Sequence, residues 1–141
     1  MSLWVAEPPP AFQTRPPAVV DASVLAAFIF REPEADMAEA QLRPYALHAP
    51  TILPLEIANV AMNKWRRQVA PAEALAERLA GFDFSCIELA TPAAAEVYAL
   101  CIQYSLTAYD AAYLWLASEL RAPLITFDAR LAAAAREHLA K

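Results

Sequence analysis

Glycine is nearly absent from this chain, cysteine and histidine are scarce, and positive charge is in the minority. The single glycine, Gly81, marks the end of one predicted helix. Cys86 and Cys101 are too few and too widely spaced for a zinc site or a redox pair, and read as buried free thiols. His48 and His138 lie outside the pattern of acids described below, which leaves a Ser-His-Asp arrangement little support. No apolar run approaches the ~20 residues that span a bilayer. At the start, Glu7 and Pro8-Pro9-Pro10 interrupt the chain before the apolar region of a signal peptide can form. The expectation is a soluble, cytoplasmic protein with no membrane association. Lys and Arg number 11 against 16 Asp and Glu, a net charge of −5. That balance argues against a general nucleic-acid binder, because phosphate affinity comes from clustered cations. The objection weakens if the acids chelate metal.

What is present is apolar. Hydrophobic residues make up 59% of the 141 positions and charged ones 19%, a composition for a compact core. One domain of this length buries roughly two-thirds of its unfolded surface. The same composition leaves room for an apolar dimer interface.

Residues 1–17 hold Pro8, Pro9, Pro10, Pro16 and Pro17 without periodicity and read as an extended tail, with the domain proper from 18 to 141. Ala18–Val20 reads as a short buried strand, Asp21-Ala22-Ser23 as a strand-to-helix turn, and Val24–Phe30 as a helix. Pro33 fits the first turn of a second helix, and a second strand is expected over Tyr45–His48, ended by Pro50. Thr51 is placed to cap a helix over Ile52–Gln68 that tolerates Pro54 in its first turn. A helix over Pro71–Ala80 and a strand over Phe84–Leu89 follow. Thr91 and Pro92 have the form of an N-cap and first helical position for a helix to Tyr104, and Thr107 caps the next, Ala108–Leu120. Leu124–Thr126 is a fourth strand before a last helix from Ala129. Short apolar strands alternating with helices imply an α/β fold whose parallel sheet is covered on both faces. Ligands of such sheets bind beyond the carboxyl ends of the strands.

Four acids stand at the ends of apolar stretches: Asp21, Glu56, Asp110 and Asp128. A carboxylate in such a context costs several kcal/mol if buried without a partner. Few basic residues are near enough in sequence to neutralise them. The set suits a divalent cation, because magnesium and manganese take oxygen ligands in octahedral geometry and magnesium keeps several waters. Such ions activate water and stabilise charge on a phosphate under attack.

Each acid also has an ordinary reading. Asp21 and Asp128 fit helix N-caps, and Asp110 stands three residues after Thr107, the spacing of a capped first turn. Glu56 follows Thr51 by five residues, which is wrong for a capping box. Ser23, Thr126 and Asn59 are placed to orient the carboxylates, or equally to make ordinary caps and backbone bonds. Lys64-Trp65-Arg66-Arg67 is the one basic and aromatic cluster. It fits contact with an RNA backbone and stacking on a base, and fits as well a solvated helix end that favours cations. Tyr109, Tyr113 and Trp115 read as core or interface.

Four segments taken in order resemble the PIN domains, and most closely the VapC-type toxins of toxin–antitoxin pairs. They are Val19-Val20-Asp21-Ala22-Ser23-Val24-Leu25, Glu56-Ile57-Ala58-Asn59, Tyr109-Asp110-Ala111-Ala112-Tyr113 and Leu124-Ile125-Thr126-Phe127-Asp128. The resemblance implies a three-layer α/β/α domain with a short parallel sheet of four to five strands. It implies a Mg2+- or Mn2+-dependent endoribonuclease, hydrolysing RNA with metal-activated water, in which Asp21, Glu56, Asp110 and Asp128 are the catalytic, metal-binding acids. It implies a homodimer inhibited by an antitoxin that carries operator DNA binding. Three features depart from the family pattern. The proline-rich extension is not part of the family core, and Leu120-Arg121-Ala122-Pro123 replaces the glycine common before the final strand. The chain also ends at Lys141 after an alanine-rich helix, where a fifth strand is often seen.

Two other functions share these residues. One is a PIN-like binding module that works through antitoxin and operator complexes with little nuclease activity, which the negative charge favours. The other is a phosphatase or a DNA nuclease using the same metal chemistry.

Overall fold

The computed structural model describes residues 2–4, 6 and 15–141. The expected proline-rich tail lies largely outside these residues, and Pro17 already belongs to a strand. The elements run β1 (Pro17–Val20), α1 (Ala22–Ile29), α2 (Ala35–Leu42), β2 (Ala46–Pro50), α3 (Leu53–Arg66) and α4 (Ala72–Ala80). They continue with β3 (Glu88–Ala90), α5 (Ala94–Tyr104), α6 (Ala108–Leu120), β4 (Leu124–Ile125) and α7 (Ala129–Leu139). Four parallel strands lie in the order β3-β2-β1-β4, the lower of the two strand counts expected. Ala18, Val19 and Val20 in β1 are fully buried, as a central parallel strand covered on both faces requires. The α6 helix packs on β1, β2 and β4, with α5 and α7 against it, while α1 packs on α2 and α3, and α3 on α4. The result is an α/β/α sandwich.

The chain builds outward from β1 to β2 and β3, then crosses back to add β4 on the other side of β1. The strand order therefore reverses between β1 and β4, and that crevice is where open parallel sheets bind ligands.

Several boundaries differ from the sequence reading. Phe84 starts no strand. The Asp83 carboxylate accepts from Ser85 N at 2.9 Å and Ser85 Oγ at 2.6 Å, winding Phe84–Cys86 into a 3-10 turn. Strand β3 begins only at Glu88, paired with His48. Thr51 caps nothing, because its N–H is still bonded to Ala90 O at 3.0 Å along the β2–β3 ladder, and α3 starts from Ile52 without a side-chain cap. Thr91 and Pro92 precede α5, which begins at Ala94 and closes its first turn with Val97 N to Ala93 O at 2.9 Å. Pro33 lies ahead of α2, since Arg31 turns left-handed (φ 51) and Ala35 N bonds Glu32 O in a turn before the helix starts. Cys86 is exposed and Cys101 half-buried, so neither is the fully buried thiol expected.

Gly81 does follow α4, but at φ −77, a conformation open to any residue. The left-handed positions belong instead to Arg31, Gln68, Ser105 and Arg121. Arg121, at φ 49, closes α6 just before β4, where the sequence departs from the family glycine.

Candidate active site

Asp21 extends β1 by one residue, its N–H bonding Ile125 O of β4 at 3.2 Å. Its side chain then turns to cap α1, with Oδ1 accepting from Val24 N at 3.2 Å and from Ser23 Oγ at 2.6 Å. Oδ2 accepts from Thr126 Oγ1 at 2.5 Å. The two hydroxyls are fixed in turn: Ser23 Oγ accepts from Phe127 N and Thr126 Oγ1 from Asp128 N, each at 2.9 Å. Asp21, only 5% exposed, is thus the hub of a network tying β1 and α1 to the segment after β4. Asp128 caps α7, with Oδ1 accepting from Arg130 N at 2.9 Å and Leu131 N at 3.0 Å.

Glu56 and Asp110 arrive from helix starts. Glu56 lies in the first turn of α3, and its Oε1 accepts a 2.7 Å hydrogen bond from the Tyr113 phenol of α6. Asp110 sits in the first turn of α6, whose start is capped by Thr107 Oγ1 accepting from Asp110 N at 3.2 Å. Capping and site geometry are therefore one arrangement at Asp21, Asp110 and Asp128: the caps place the carboxylates at one edge of the sheet.

The charges converge. Burial pushes the Asp21 carboxyl above the ordinary carboxylate range, against the hydrogen bonds from Ser23, Thr126 and Val24, and the charge of Asp110 pushes it further. Burial also raises Glu56; the Tyr113 bond opposes this, and Asp110 and Asp21 add to it. Asp110 is raised by burial and then by Asp128, with Thr107 and Arg130 pulling the other way. Among the described residues none of these four acids forms an ion pair. Nor do any three His, Cys, Asp or Glu side chains there close on one point as a ready-made cation cage. An all-oxygen set of this kind, with no ion-paired cation, fits a hard divalent ion that keeps part of its water shell. A cavity of about 910 Å³ between α1, α2 and α4 shares no residue with the acids. Chemistry, not cavity size, locates the site.

The family model of the PIN domain matches residues 18–137. The chain belongs to the PIN-domain family. This PIN domain is 32% identical over 120 residues to Ribonuclease VapC3 of Pyrobaculum aerophilum, spanning 81% of this chain and 91% of that protein. Its fold is similar to the crystal structure of PAE2754 from Pyrobaculum aerophilum, with a TM-score of 0.68 and 23% identity over 93% of each chain.

Ser23 bonds Asp21, its neighbour in sequence, whereas Thr126, read from its place two residues before Asp128, donates its hydroxyl across the sheet to Asp21 and only accepts from the Asp128 N–H. Asn59 does not join them: it is exposed and makes no hydrogen bond to Glu56 among the described residues. Lys64 also departs from its expected role. Its Nζ lies 2.7 Å from Glu32 Oε1, with both side chains partly buried, and 5.6 Å from the centre of the Phe30 ring. That pairing ties α3 to the turn after α1 and engages the Lys64 cation with Glu32. Trp65, Arg66 and Arg67 remain exposed. Two contributors to the site were missed from the sequence, Arg130, which had no reading, and Tyr113, read only as core or interface. Arg130 donates to Ser105 O at 3.0 Å and tempers the charge of Asp110. Tyr113 holds Glu56; the signal available was its spacing of three from Asp110, which puts both on one face of α6.

Proposed function

We propose that this PIN domain is a divalent-metal-dependent endoribonuclease, the toxin of a toxin–antitoxin pair, with Asp21, Glu56, Asp110 and Asp128 as its metal-binding and catalytic acids. One observation carries the reading. Asp21 is buried at the strand-order reversal beside like-charged Asp110, and no Lys, Arg or His among the described residues pairs with any of the four acids. Asp21 is not left unsatisfied, yet its charge is uncompensated, and the full cost of an uncompensated buried ion is several kcal/mol. Similarity to a protein named as a VapC ribonuclease supports RNA as the substrate.

When bound, Mg2+ or Mn2+ supplies Lewis-acid stabilisation of charge on the scissile phosphate and makes water a better nucleophile. The protein's part is placement. Ser23, Val24 N and Thr126 hold Asp21 in one rotamer, Tyr113 holds Glu56, and the α6 and α7 caps set Asp110 and Asp128. The carboxylates thereby face a phosphodiester with their geometry set in advance, which lowers the reorganisation cost of catalysis. Arg66, Arg67 and Trp65 are the exposed candidates for contact with the RNA strand beyond the cleaved bond. A cognate antitoxin, operator DNA bound through it, a homodimer and a cytoplasmic setting complete the proposal. No helix among the described residues is long and apolar enough to cross a membrane.

The test is cleavage of a pooled RNA substrate with added Mg2+ or Mn2+. The reading expects cutting that chelation abolishes and added metal restores; cutting indifferent to chelator contradicts it. The pairing of Lys64 with Glu32 leaves a sparse basic surface and favours a second reading, a binding module acting through antitoxin and operator. That reading expects any growth arrest to persist in Asp110→Ala, and an arrest that needs Asp110 excludes it.

A further inference from the structure

Tyr113 is a large side chain at the centre of the core, 1% exposed, yet its phenol oxygen reaches out of that core to a carboxylate. Its O–H donates to Glu56 Oε1 at 2.7 Å across 57 residues of sequence, and no other hydrogen bond to that oxygen is found among the described residues. Glu56 sits between repulsions, because the charges of Asp110 and Asp21 both act on it. A half-buried glutamate with three rotatable side-chain bonds can relieve that repulsion by swinging towards water. Among the described residues the phenol is the only side-chain donor opposing such a swing. Because Tyr113 follows Asp110 by three residues, α6 presents one acid and grips another with the same face.

We propose that Tyr113 is a positioning residue, whose hydroxyl holds the Glu56 carboxylate beside Asp21 and Asp110 and so sets the affinity of the site for a divalent cation. The inference rests on the acids binding such an ion. Hydrogen-bond partners that orient metal-ligating groups contribute typically ~10–100-fold in metal affinity. Tyr113→Phe removes the hydroxyl and keeps the ring, so the core packing of α6 is retained. Glu56 then has water within reach, and no buried acceptor is left without a donor.

The experiment is a Mn2+ titration of the full chain, read by the electron paramagnetic resonance signal of free Mn2+. It compares wild type, Asp110→Ala, Glu56→Ala, Tyr113→Phe and the Glu56→Ala/Tyr113→Phe double variant, with circular dichroism melts alongside. The expected result is binding by wild type, strong loss in Asp110→Ala, and a Kd weakened about tenfold or more in Tyr113→Phe. In the Glu56→Ala background, Tyr113→Phe weakens binding no further, because the carboxylate it positions is gone. A purely structural tyrosine would weaken both backgrounds alike, and that result overturns the proposal. So does wild-type Mn2+ affinity in Tyr113→Phe, or a Tyr113→Phe chain that does not fold, which assigns the hydroxyl to the core. If wild type binds no Mn2+, the metal reading itself fails, an outcome distinct from the failure of Tyr113 alone.

Discussion

Replacing Thr126 by valine removes one oxygen from the network at Asp21 and leaves the shape of the side chain nearly unchanged. Two hydrogen bonds go with that oxygen. Thr126 Oγ1 no longer donates to Asp21 Oδ2, formerly at 2.5 Å, and no longer accepts from Asp128 N, formerly at 2.9 Å. A hydrogen bond to a charged group contributes about 1.5–3 kcal/mol and an ordinary one about 1. Asp21 is 5% exposed, so water does not readily replace the lost donor. The expected destabilisation at neutral pH is therefore about 3 kcal/mol, on the order of 10 °C in Tm for a domain of this size. Ser23→Ala also deletes two bonds, but Asp21 Oδ1 keeps Val24 N, so its loss is smaller, about 1–2 kcal/mol. The sign of the pH dependence follows from the same bond. Thr126 favours the ionised form of Asp21, so its removal raises further a carboxyl that burial already holds high. The extra cost of losing a bond to a charged group appears as pH rises through the titration of Asp21 and is absent below it, where both lost bonds count as ordinary ones of about 1 kcal/mol each. Urea denaturation of both variants at acid and neutral pH measures this. A Thr126→Val domain as stable as wild type at neutral pH, or more stable than Ser23→Ala, refutes the network as described.

Asp21, Glu56 and Asp110 all have folded pKa values above their unfolded ones, so metal-free protein should lose stability as pH rises from the ordinary carboxylate range through the raised values. Asp83 is shifted the opposite way, so the diagnostic is a shallower decline in Asp21→Asn than in wild type, followed by thermal melts at several pH values. Added Mg2+ at neutral pH should restore stability, by about 2.7 kcal/mol at a hundred times its Kd; an unchanged Tm in wild type contradicts the prediction. Arg121→Gly relieves a left-handed residue at the end of α6. That conformation costs an L-residue about 1–2 kcal/mol, and glycine gives back about 0.4–1 through unfolded-state entropy, for a net gain near 0.5–1. Arg121→Ala, which keeps the Cβ, should show no such gain in the same chemical denaturation.

Much of the fold was legible because its signals are local. Ala18-Val19-Val20 is an apolar run too short for a helix, Thr107 stands three residues before Asp110, and the alternation of such pieces fixed a parallel sheet. The errors at Thr51 and Phe84 share a cause. Each residue has good local capping or strand chemistry, but the β2–β3 ladder and the Asp83 turn, made between segments or through a side chain, took precedence. For the candidate site, the acids and their two hydroxyl neighbours stood out as polar residues in apolar surroundings. What grips them did not. Tyr113 to Glu56, Thr126 to Asp21 and Lys64 to Glu32 join residues 57, 105 and 32 apart, and helical spacing says which residues share a face without saying what that face meets.

If the four acids make this PIN domain a metal-dependent ribonuclease, a time course of RNA cleavage in Mg2+ or Mn2+ separates wild type from a folded Asp110→Ala. Wild type should cut and the variant should not, with both proteins showing cooperative melts. Equal cutting by the two would contradict that reading.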